Sequence, residues 1–212
     1  MDSVVARMKH RDTGDLFPGR NIFRGEDTST VLMLMIEKAL ICYGSRYGTT
    51  TEVVQEMVKT AEGLGTKTEA VFLKKDRPPT NLHEYDLVII GSGIAAGQWT
   101  KEPLDFIKNN LDLLSKTRVA LFVVCGDAGS PEKCGQAQVA YLDKIVEKHP
   151  GFSPISTALI GGVFDFKKYN FGVRALVKKI VKAQLPPGEE VPEKLDFRDW
   201  DKIRDWIRQL LQ

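Results

Sequence analysis

The chain has 212 residues, of which 42% are hydrophobic and 27% charged, a balance typical of a globular protein with a sizeable core. Its formal net charge of +2 provides no global field of the kind that nucleic-acid binders carry. Three cysteines (Cys42, Cys125 and Cys134) without a C-x-x-C pair argue against a disulfide framework and indicate a reducing, cytoplasmic compartment.

Residues 1–34 are mostly polar, contain Gly and Pro, and lack apolar periodicity over their first 30 positions. We therefore predict a poorly ordered leader at 1–34, followed by a folded domain at 35–212. The apolar run at 31–36 is too short to cross a bilayer, and no small-residue cleavage site follows it. The chain is thus expected to be neither secreted nor membrane-spanning.

From Lys38 onward, short apolar runs alternate with amphipathic segments. The apolar runs predict five strands, at 39–43, 68–73, 86–90, 119–124 and 155–163. The intervening periodicity predicts helices at 50–64, 103–110, 131–148, 171–184 and 200–211. Strands separated by helices indicate an α/β fold, with a doubly wound five-stranded parallel sheet and helices on both faces.

The first strand runs into a turn that combines glycine, hydroxyl and cationic residues, Gly44-Ser45-Arg46-Tyr47-Gly48-Thr49-Thr50-Thr51. At such a turn the free N–H groups and the positive end of the following helix dipole suit a phosphate. The hydroxyls and Arg46 add donors, and Gly48 permits close approach. The alternative is a helix cap without a ligand, because Thr49 and Glu52 have capping-box spacing. The turn matches neither a nucleoside-triphosphate loop nor a dinucleotide fingerprint.

Two further loops, at 91–100 and 126–135, also follow strand ends and contain glycine. The carboxyl ends of parallel strands meet at one edge of a sheet, where ligands bind at a switch point in the strand order. Three such loops at one edge favour ligand binding over capping alone.

From about residue 35 to the C-terminus, the chain resembles the flavodoxin family. Loop 45–50 is similar to that family's FMN-phosphate loop, loop 91–100 to its second flavin loop, and 125–129 falls where the third should be. The resemblance implies a sheet of order 2-1-3-4-5 with FMN at the switch point between the first and third strands. It implies these cofactor-binding residues: Ser45, Arg46, Tyr47, Gly48, Thr49, Thr50, Ser92, Gly93, Ile94, Ala95, Gly97, Gln98, Trp99, Gly126 and Asp127.

Three of these residues have alternative roles. Trp99 either stacks on the flavin or packs on the next helix, and Arg46 either pairs with the phosphate or points to solvent. Asp127 either approaches the flavin ring edge or caps the helix that starts at Pro131. No catalytic side chain or metal ligand is assigned, because the flavin carries the redox chemistry.

Within that family, the nearer likeness is to the menaquinone-dependent protoporphyrinogen IX dehydrogenases. It rests on Arg46, on the pattern Ile94, Gly97 and Trp99, and on the long segment 161–199. This likeness implies an FMN-dependent oxidoreductase that oxidises a small molecule such as a porphyrinogen and passes electrons to a quinone. The alternative is a flavodoxin-type carrier that docks to redox proteins without its own substrate, although such carriers are usually strongly acidic. An NAD(P)H-dependent reductase is a third class, which no second nucleotide fingerprint supports.

The segment 161–199 is predicted to be an insertion that distinguishes an enzyme from a carrier. Its aromatic residues are expected to form a wall beside the third loop, which lacks an aromatic of its own: Phe164, Phe166, Tyr169 and Phe171. Its helix divides into an apolar side (Val173, Leu176, Val177, Ile180, Val181) and a basic side (Arg174, Lys178, Lys179, Lys182). The basic side is either simply solvated or a docking surface for an anionic substrate or an anionic membrane, through 171–184.

Overall fold

The computed structural model describes residues 36–183, 185 and 188–212, so the predicted leader lies outside the described residues. Five strands form one sheet: β1 (Lys38–Gly44), β2 (Lys67–Phe72), β3 (Leu87–Gly93), β4 (Arg118–Cys125) and β5 (Ser156–Gly161). All neighbouring pairs are parallel, and the order is β2-β1-β3-β4-β5. The predicted strand number, direction and order are confirmed.

The helices lie close to their predicted positions: α1 (Thr49–Gly63), α2 (Lys101–Asn109), α3 (Leu111–Leu114), α4 (Pro131–Gln138), α5 (Lys144–Glu147), α6 (Phe171–Lys182) and α7 (Trp200–Leu210). The predicted helical character of 131–148 is confirmed over residues 131–147, but the helix contains a π-helical turn at Val139–Asp143 between α4 and α5. Within this turn the carbonyl of Tyr141 accepts a hydrogen bond from the Trp99 indole at 2.6 Å. A side chain that takes a helix carbonyl in this way is a recognised cause of local helix distortion.

The three central strands, β1, β3 and β4, are mostly apolar and buried because the sheet is covered on both faces there, whereas the edge strand β2 is mostly exposed. On one face, Ile41 and Phe122 belong to a core cluster with Met57 of α1 and Trp206 of α7. On the other face, strand residues such as Leu121 pack with residues of α2 and the π-helical turn. Full burial of each such side chain stabilises the fold by about 1.5–3 kcal/mol.

After β5 the chain forms a small antiparallel ribbon of β6 (Val163–Asp165) and β7 (Lys194–Asp196). The fifth strand was expected to continue to residue 163, but it ends at Gly161. The Gly162 N–H still donates to the Cys125 carbonyl at 2.8 Å, as the register of β5 on β4 requires, and the Gly162 carbonyl accepts from the Phe197 N–H at 3.0 Å. The ribbon and α6 enclose their own apolar cluster, whose buried members are Phe166, Tyr169, Val181, Leu185 and Leu195.

Candidate functional site

Three loops meet at the carboxyl edge of the sheet, because the strands that precede them are neighbours. The register of β1 on β3 pairs Gly44 with Ser92, and that of β3 on β4 pairs Gly93 with Val124. The Ile94 N–H also donates to the Val124 carbonyl at 2.9 Å. The loops at 45–48, 94–100 and 126–130 therefore leave the sheet side by side.

The first loop presents the start of α1 without a side-chain cap. Its N-cap residue is Gly48, whose φ of +90° lies in the left-handed region that favours glycine. The Gly48 N–H donates to Ser45 Oγ at 3.1 Å, which closes the turn. Thr50 is buried beneath β3, with its Oγ1 2.7 Å from the position that a Cβ on Gly93 would take. Because glycine has no capping side chain, the first N–H groups of α1 are left to a ligand or water.

The alternative role of this turn, a capping box of Thr49 and Glu52, is not formed, because the N-cap is Gly48 and no side chain caps the helix. The Glu52 carboxylate instead contacts two cations from the segment after β5, with Arg198 Nη1 at 2.5 Å and Lys168 Nζ at 3.6 Å. The hydrogen bond from Arg198 holds the pKa of Glu52 below its usual range. Helix α1 is thus tied at its first turn to residues more than a hundred positions later in the chain.

The second loop is anchored by an internal hydroxyl and ends in an exposed tip. Ser92 is fully buried, where its Oγ accepts the Thr100 N–H at 2.9 Å and donates to the Gly93 carbonyl at 3.0 Å. Ala96 and Gly97, with φ of +53° and +73°, form a tight turn closed by two hydrogen bonds between Ala95 and Gln98. Ala96, Gly97 and Gln98 are exposed, whereas Ser92 lies at the base of the loop.

Trp99 joins the second loop to the third through Tyr141. The Trp99 ring is buried and its N–H is the donor to the Tyr141 carbonyl described above. The Tyr141 hydroxyl donates to Asp127 Oδ2 at 3.0 Å. Burial and the neighbouring Asp127 raise the pKa of Tyr141 to about 12. The structure therefore places Trp99 against the π-helical turn, while its stacking on a flavin stays a prediction.

The structure does not support a capping role for Asp127, since Ser130 is the N-cap of α4 and the Asp127 carboxylate accepts from Tyr141. Sequence reasoning missed Tyr141, because it lies inside a predicted helix without a motif around it. Arg46 is exposed, as one of its two alternatives expects.

Aromatic rings from the segment after β5 lie directly on the third loop. The Phe164 ring comes within 2.3 Å of the position that a Cβ on Gly126 would take, and the Phe197 ring within 2.6 Å of that on Gly129. The two rings contact each other edge to face, with centroids 6.0 Å apart. An aromatic wall is present beside the loop, but half of it comes from Phe197, which the sequence analysis did not single out.

The other predicted wall residues are divided between two places. Phe166 and Tyr169 are buried in the cluster below α6, and the Tyr169 ring meets Tyr47 of the first loop at 4.8 Å, edge to face. Phe171 is 87% exposed at the start of α6, so its predicted place in the wall is wrong. Leu176 and Ile180 are also exposed, in contrast to the apolar side predicted for them, because only Val173, Val177 and Val181 face the cluster.

No helix in the described part of the chain combines the length and apolar character needed to cross a bilayer. Among the same residues, no three His, Cys, Asp or Glu side chains come together in a way that would hold a metal ion.

A model of the flavodoxin domain family matches residues 40–188, a range that contains most of β1, the other four strands of the sheet and all three loops. The chain belongs to the flavodoxin-domain family. Its fold is similar to that of oxidised flavodoxin 1 from Bacillus cereus, with a TM-score of 0.51 and 15% identity over 82% of this chain and 96% of that one.

Among curated proteins, this flavodoxin-domain chain is similar to the protoporphyrinogen IX dehydrogenase (quinone) of Escherichia coli strain K12. They are 24% identical over 174 residues, which is 82% of this chain and 94% of that protein. The enzyme of the same name from Leishmania major is also 24% identical, over 168 residues that make up 79% of this chain and 71% of that protein.

Proposed function

We propose that this flavodoxin-domain protein binds FMN and is an oxidoreductase that transfers electrons from a small molecule, a porphyrinogen, to a quinone. The observation that carries the proposal is the meeting of the three loops with the ribbon segment at one edge of the sheet. The names of the curated relatives support the choice of substrate and acceptor.

The first loop fits a phosphate group by the chemistry of its donors. Ser45, Thr49, Thr50 and Thr51 supply hydroxyls, and the uncapped start of α1 supplies N–H groups and the positive end of a dipole. Gly48 lets the backbone approach a ligand closely. Arg46 is exposed beside the loop and can add a charge-assisted hydrogen bond.

The second and third loops fit a planar ring system. The second loop follows β3, and the Phe164 and Phe197 rings of the segment after β5 pack on the third loop. Trp99, Tyr141 and Asp127 fix the distance between the two loops. FMN, when bound, supplies the redox chemistry, and the quinone that is reduced to quinol takes up the electrons and protons that leave the substrate.

An enzyme, in contrast to a carrier, needs a wall over its cofactor, and the segment after β5 supplies one. The alternative function is a flavodoxin-type carrier, which requires a docking surface for a redox protein. The part of the segment that contains α6 is basic: residues 166–188 hold six of the chain's Lys and Arg residues and none of its Asp and Glu residues. Such a surface suits an anionic substrate better than it suits a partner that recognises acidic carriers.

The same surface is consistent with a cytoplasmic location in which the protein contacts the inner face of an anionic membrane. A lipid-dissolved quinone resides in such a membrane. Helix α6 exposes three large apolar side chains among its cations, with Phe171 at 87%, Leu176 at 60% and Ile180 at 49%. An amphipathic helix of this composition binds the membrane interface by placing apolar groups at the headgroup boundary and cations beside anionic lipid.

The decisive experiment is anaerobic turnover of protoporphyrinogen IX by the FMN-loaded protein, followed by porphyrin fluorescence with and without menaquinone. Full conversion of a porphyrinogen to the fluorescent porphyrin removes six electrons, and one FMN accepts only two. Without the quinone we therefore expect less than one porphyrin for each bound FMN, and with the quinone we expect repeated turnover. FMN binding without any porphyrinogen oxidation would favour the carrier.

The proposed binding of the FMN phosphate by loop 45–50 is tested separately, with the double variant Thr49→Val and Thr50→Val. Each lost hydrogen bond to the phosphate is expected to weaken FMN binding by about 1.5–3 kcal/mol. Thr60→Val is the matched control, because its hydroxyl only donates to the Glu56 carbonyl within α1. Equal FMN affinity in the double variant and the control would refute the assignment.

A further inference from the structure

We propose that Lys168, from the segment after β5, binds the phosphate group held by loop 45–50. Without the ligand it contacts Glu52, and when the phosphate binds, Glu52 keeps its contact with Arg198. The proposal rests on the proposed FMN function and adds a cation that the loop itself does not contain. It makes the 161–199 segment part of the phosphate site as well as the wall beside the ring.

The position of Lys168 is the first argument. Its Nζ lies 4.0 Å from the place that a Cβ would occupy on Gly48, the N-cap of α1. The neighbouring Tyr169 ring packs on Tyr47 of the same loop, with 4.8 Å between centroids. This packing holds the backbone of Lys168 beside the loop, so the ammonium reaches the start of α1 without a change of fold.

The charge at the loop is the second argument. Glu52 lies in the first turn of α1, where its carboxylate repels a bound phosphate. Two cations face that carboxylate, and only one of them is free to move. Arg198 is 5% exposed, contacts both oxygens of Asp196 at 2.9 and 2.6 Å, and stacks on Trp200 at 4.5 Å. Its guanidinium is therefore fixed.

Lys168 has the opposite character. Its side chain is 44% exposed, and its one ion pair, with Glu52, spans 3.6 Å, which is longer than a hydrogen bond. A lysine ammonium on a flexible stem rotates between acceptors at little cost. We infer that Arg198 retains Glu52 while Lys168 turns to the phosphate, so the repulsion from Glu52 is compensated when the ligand binds.

This arrangement makes a prediction about ligand discrimination. Lys168 contributes to binding only when the ligand carries the phosphate, so FMN and riboflavin respond differently to its removal. The variant Lys168→Met keeps the stem and removes the charge. Lys167→Met is the matched control, since Lys167 is adjacent but pairs with Glu193 in the ribbon segment.

The test measures dissociation constants of FMN and riboflavin for the apoprotein by quenching of flavin fluorescence at low and at moderate salt. We expect Lys168→Met to weaken FMN binding about tenfold, as for loss of one charge-assisted contact, and to leave riboflavin unchanged. Lys168→Glu should weaken FMN further, Lys168→Arg should restore most of the affinity, and the salt dependence of FMN binding should fall in Lys168→Met.

Equal losses for FMN and riboflavin, or an unchanged FMN affinity in both Lys168→Met and Lys168→Glu, would overturn the role of Lys168. Thermal unfolding of each apoprotein separates a folding defect from a binding effect, and Lys168→Arg provides the folded comparison. If the wild-type protein binds neither flavin, the proposed function itself fails. If the wild type binds FMN and the Lys168 variants bind it as tightly as Lys167→Met does, the proposed function stands and this inference is wrong.

Discussion

Arg198 and Glu52 lie 146 positions apart in the chain and form an ion pair with 2.5 Å between Nη1 and Oε2. The pair joins the residues just before α7 to the first turn of α1, whose N-terminus forms part of the first loop. Asp196 and Trp200 hold the same guanidinium from two other sides. The position of the first loop therefore depends on residues that the chain contributes late.

The first prediction concerns this guanidinium. Arg198→Ala removes a buried cation and leaves the Asp196 carboxylate only the longer contact with Lys194 at 3.8 Å. We therefore expect a loss of about 3 kcal/mol in the free energy of unfolding. Arg198→Lys should recover little, because lysine lacks the planar fork that contacts both carboxylates. The measurement is urea unfolding of the apoprotein.

The control for that prediction is Arg208→Ala, which removes an exposed pair with Asp205 in α7. It should change the free energy of unfolding by less than about 1 kcal/mol. If Arg198→Ala and Arg208→Ala lower the free energy of unfolding by similar amounts, the contacts of Arg198 stabilise the fold no more than an exposed ion pair does.

The second prediction is a coupling between Gly126 and Phe164. A methyl group on Gly126 would come within 2.3 Å of the Phe164 ring, so Gly126→Ala must displace the ring and should destabilise the fold by about 1–3 kcal/mol. In the background of Phe164→Ala the same change should cost under about 0.5 kcal/mol. A double-mutant cycle by urea unfolding measures this coupling, and additive effects would contradict the contact.

The third prediction tests membrane docking by α6. Vesicles that contain phosphatidylglycerol should bind the protein more tightly than vesicles of phosphatidylcholine alone. Lys179→Gln combined with Lys182→Gln should weaken this binding about 30-fold, at about 1 kcal/mol per cation. Phe171→Ser should weaken binding to both vesicle types, because it removes apolar contact.

Lys116→Gln combined with Lys148→Gln is the control for the docking test. It makes the same change in net charge, with two exposed lysines that lie near the amino ends of β4 and β5. If both lysine pairs reduce vesicle binding equally in co-sedimentation, α6 is not the docking surface.

The fourth prediction is a loss of stability in alkaline solution. Burial raises the pKa of the Cys42 and Cys125 thiols from 9.0 to about 12. Because the pKa is higher in the folded state, each protonated thiol contributes to the free energy of unfolding. This contribution is complete below pH 9 and is lost as the pH rises toward 12. For each thiol it amounts to about 4 kcal/mol over that window.

The free energy of unfolding should therefore fall between pH 9 and 11 in a reducing buffer. Cys42→Ala should show a shallower fall, since one titrating group is gone. Cys134→Ala serves as the comparison, because this thiol is only half-buried and burial raises its pKa less than that of Cys42. Equal pH slopes in all three proteins would rule out the thiols as the cause.

The sheet could be predicted from sequence because each buried strand is an uninterrupted apolar run that ends in glycine and polar residues. The β6–β7 ribbon could not, since its strands have three residues each and too little pattern for a periodicity to appear. Long-range pairs such as Arg198 with Glu52 leave no local signal either. Helical spacing places Leu176 and Ile180 on one apolar side with three valines, but it does not show that the cluster beneath α6 covers only the valines.

Within the candidate site, the loops followed from glycine and hydroxyl residues placed after strands. The side chains that connect them, Tyr141 and Phe197, lie outside any motif. Their roles depend on which ring or hydroxyl the completed fold brings to Asp127 and Gly129. Tertiary geometry alone determines those contacts.

Helix α7 covers the same face of the sheet as α1, and its Ile203, Trp206 and Leu210 belong to one apolar cluster with Val53 and Met57. During synthesis the strands and α1 leave the ribosome well before residues 200–210 do. Until those residues emerge, the nascent chain carries an incompletely covered apolar face, a state in which proteins are prone to aggregate. The fold is therefore completed after most of the sheet has been translated, and the interval before that is when a chaperone would have the most to bind.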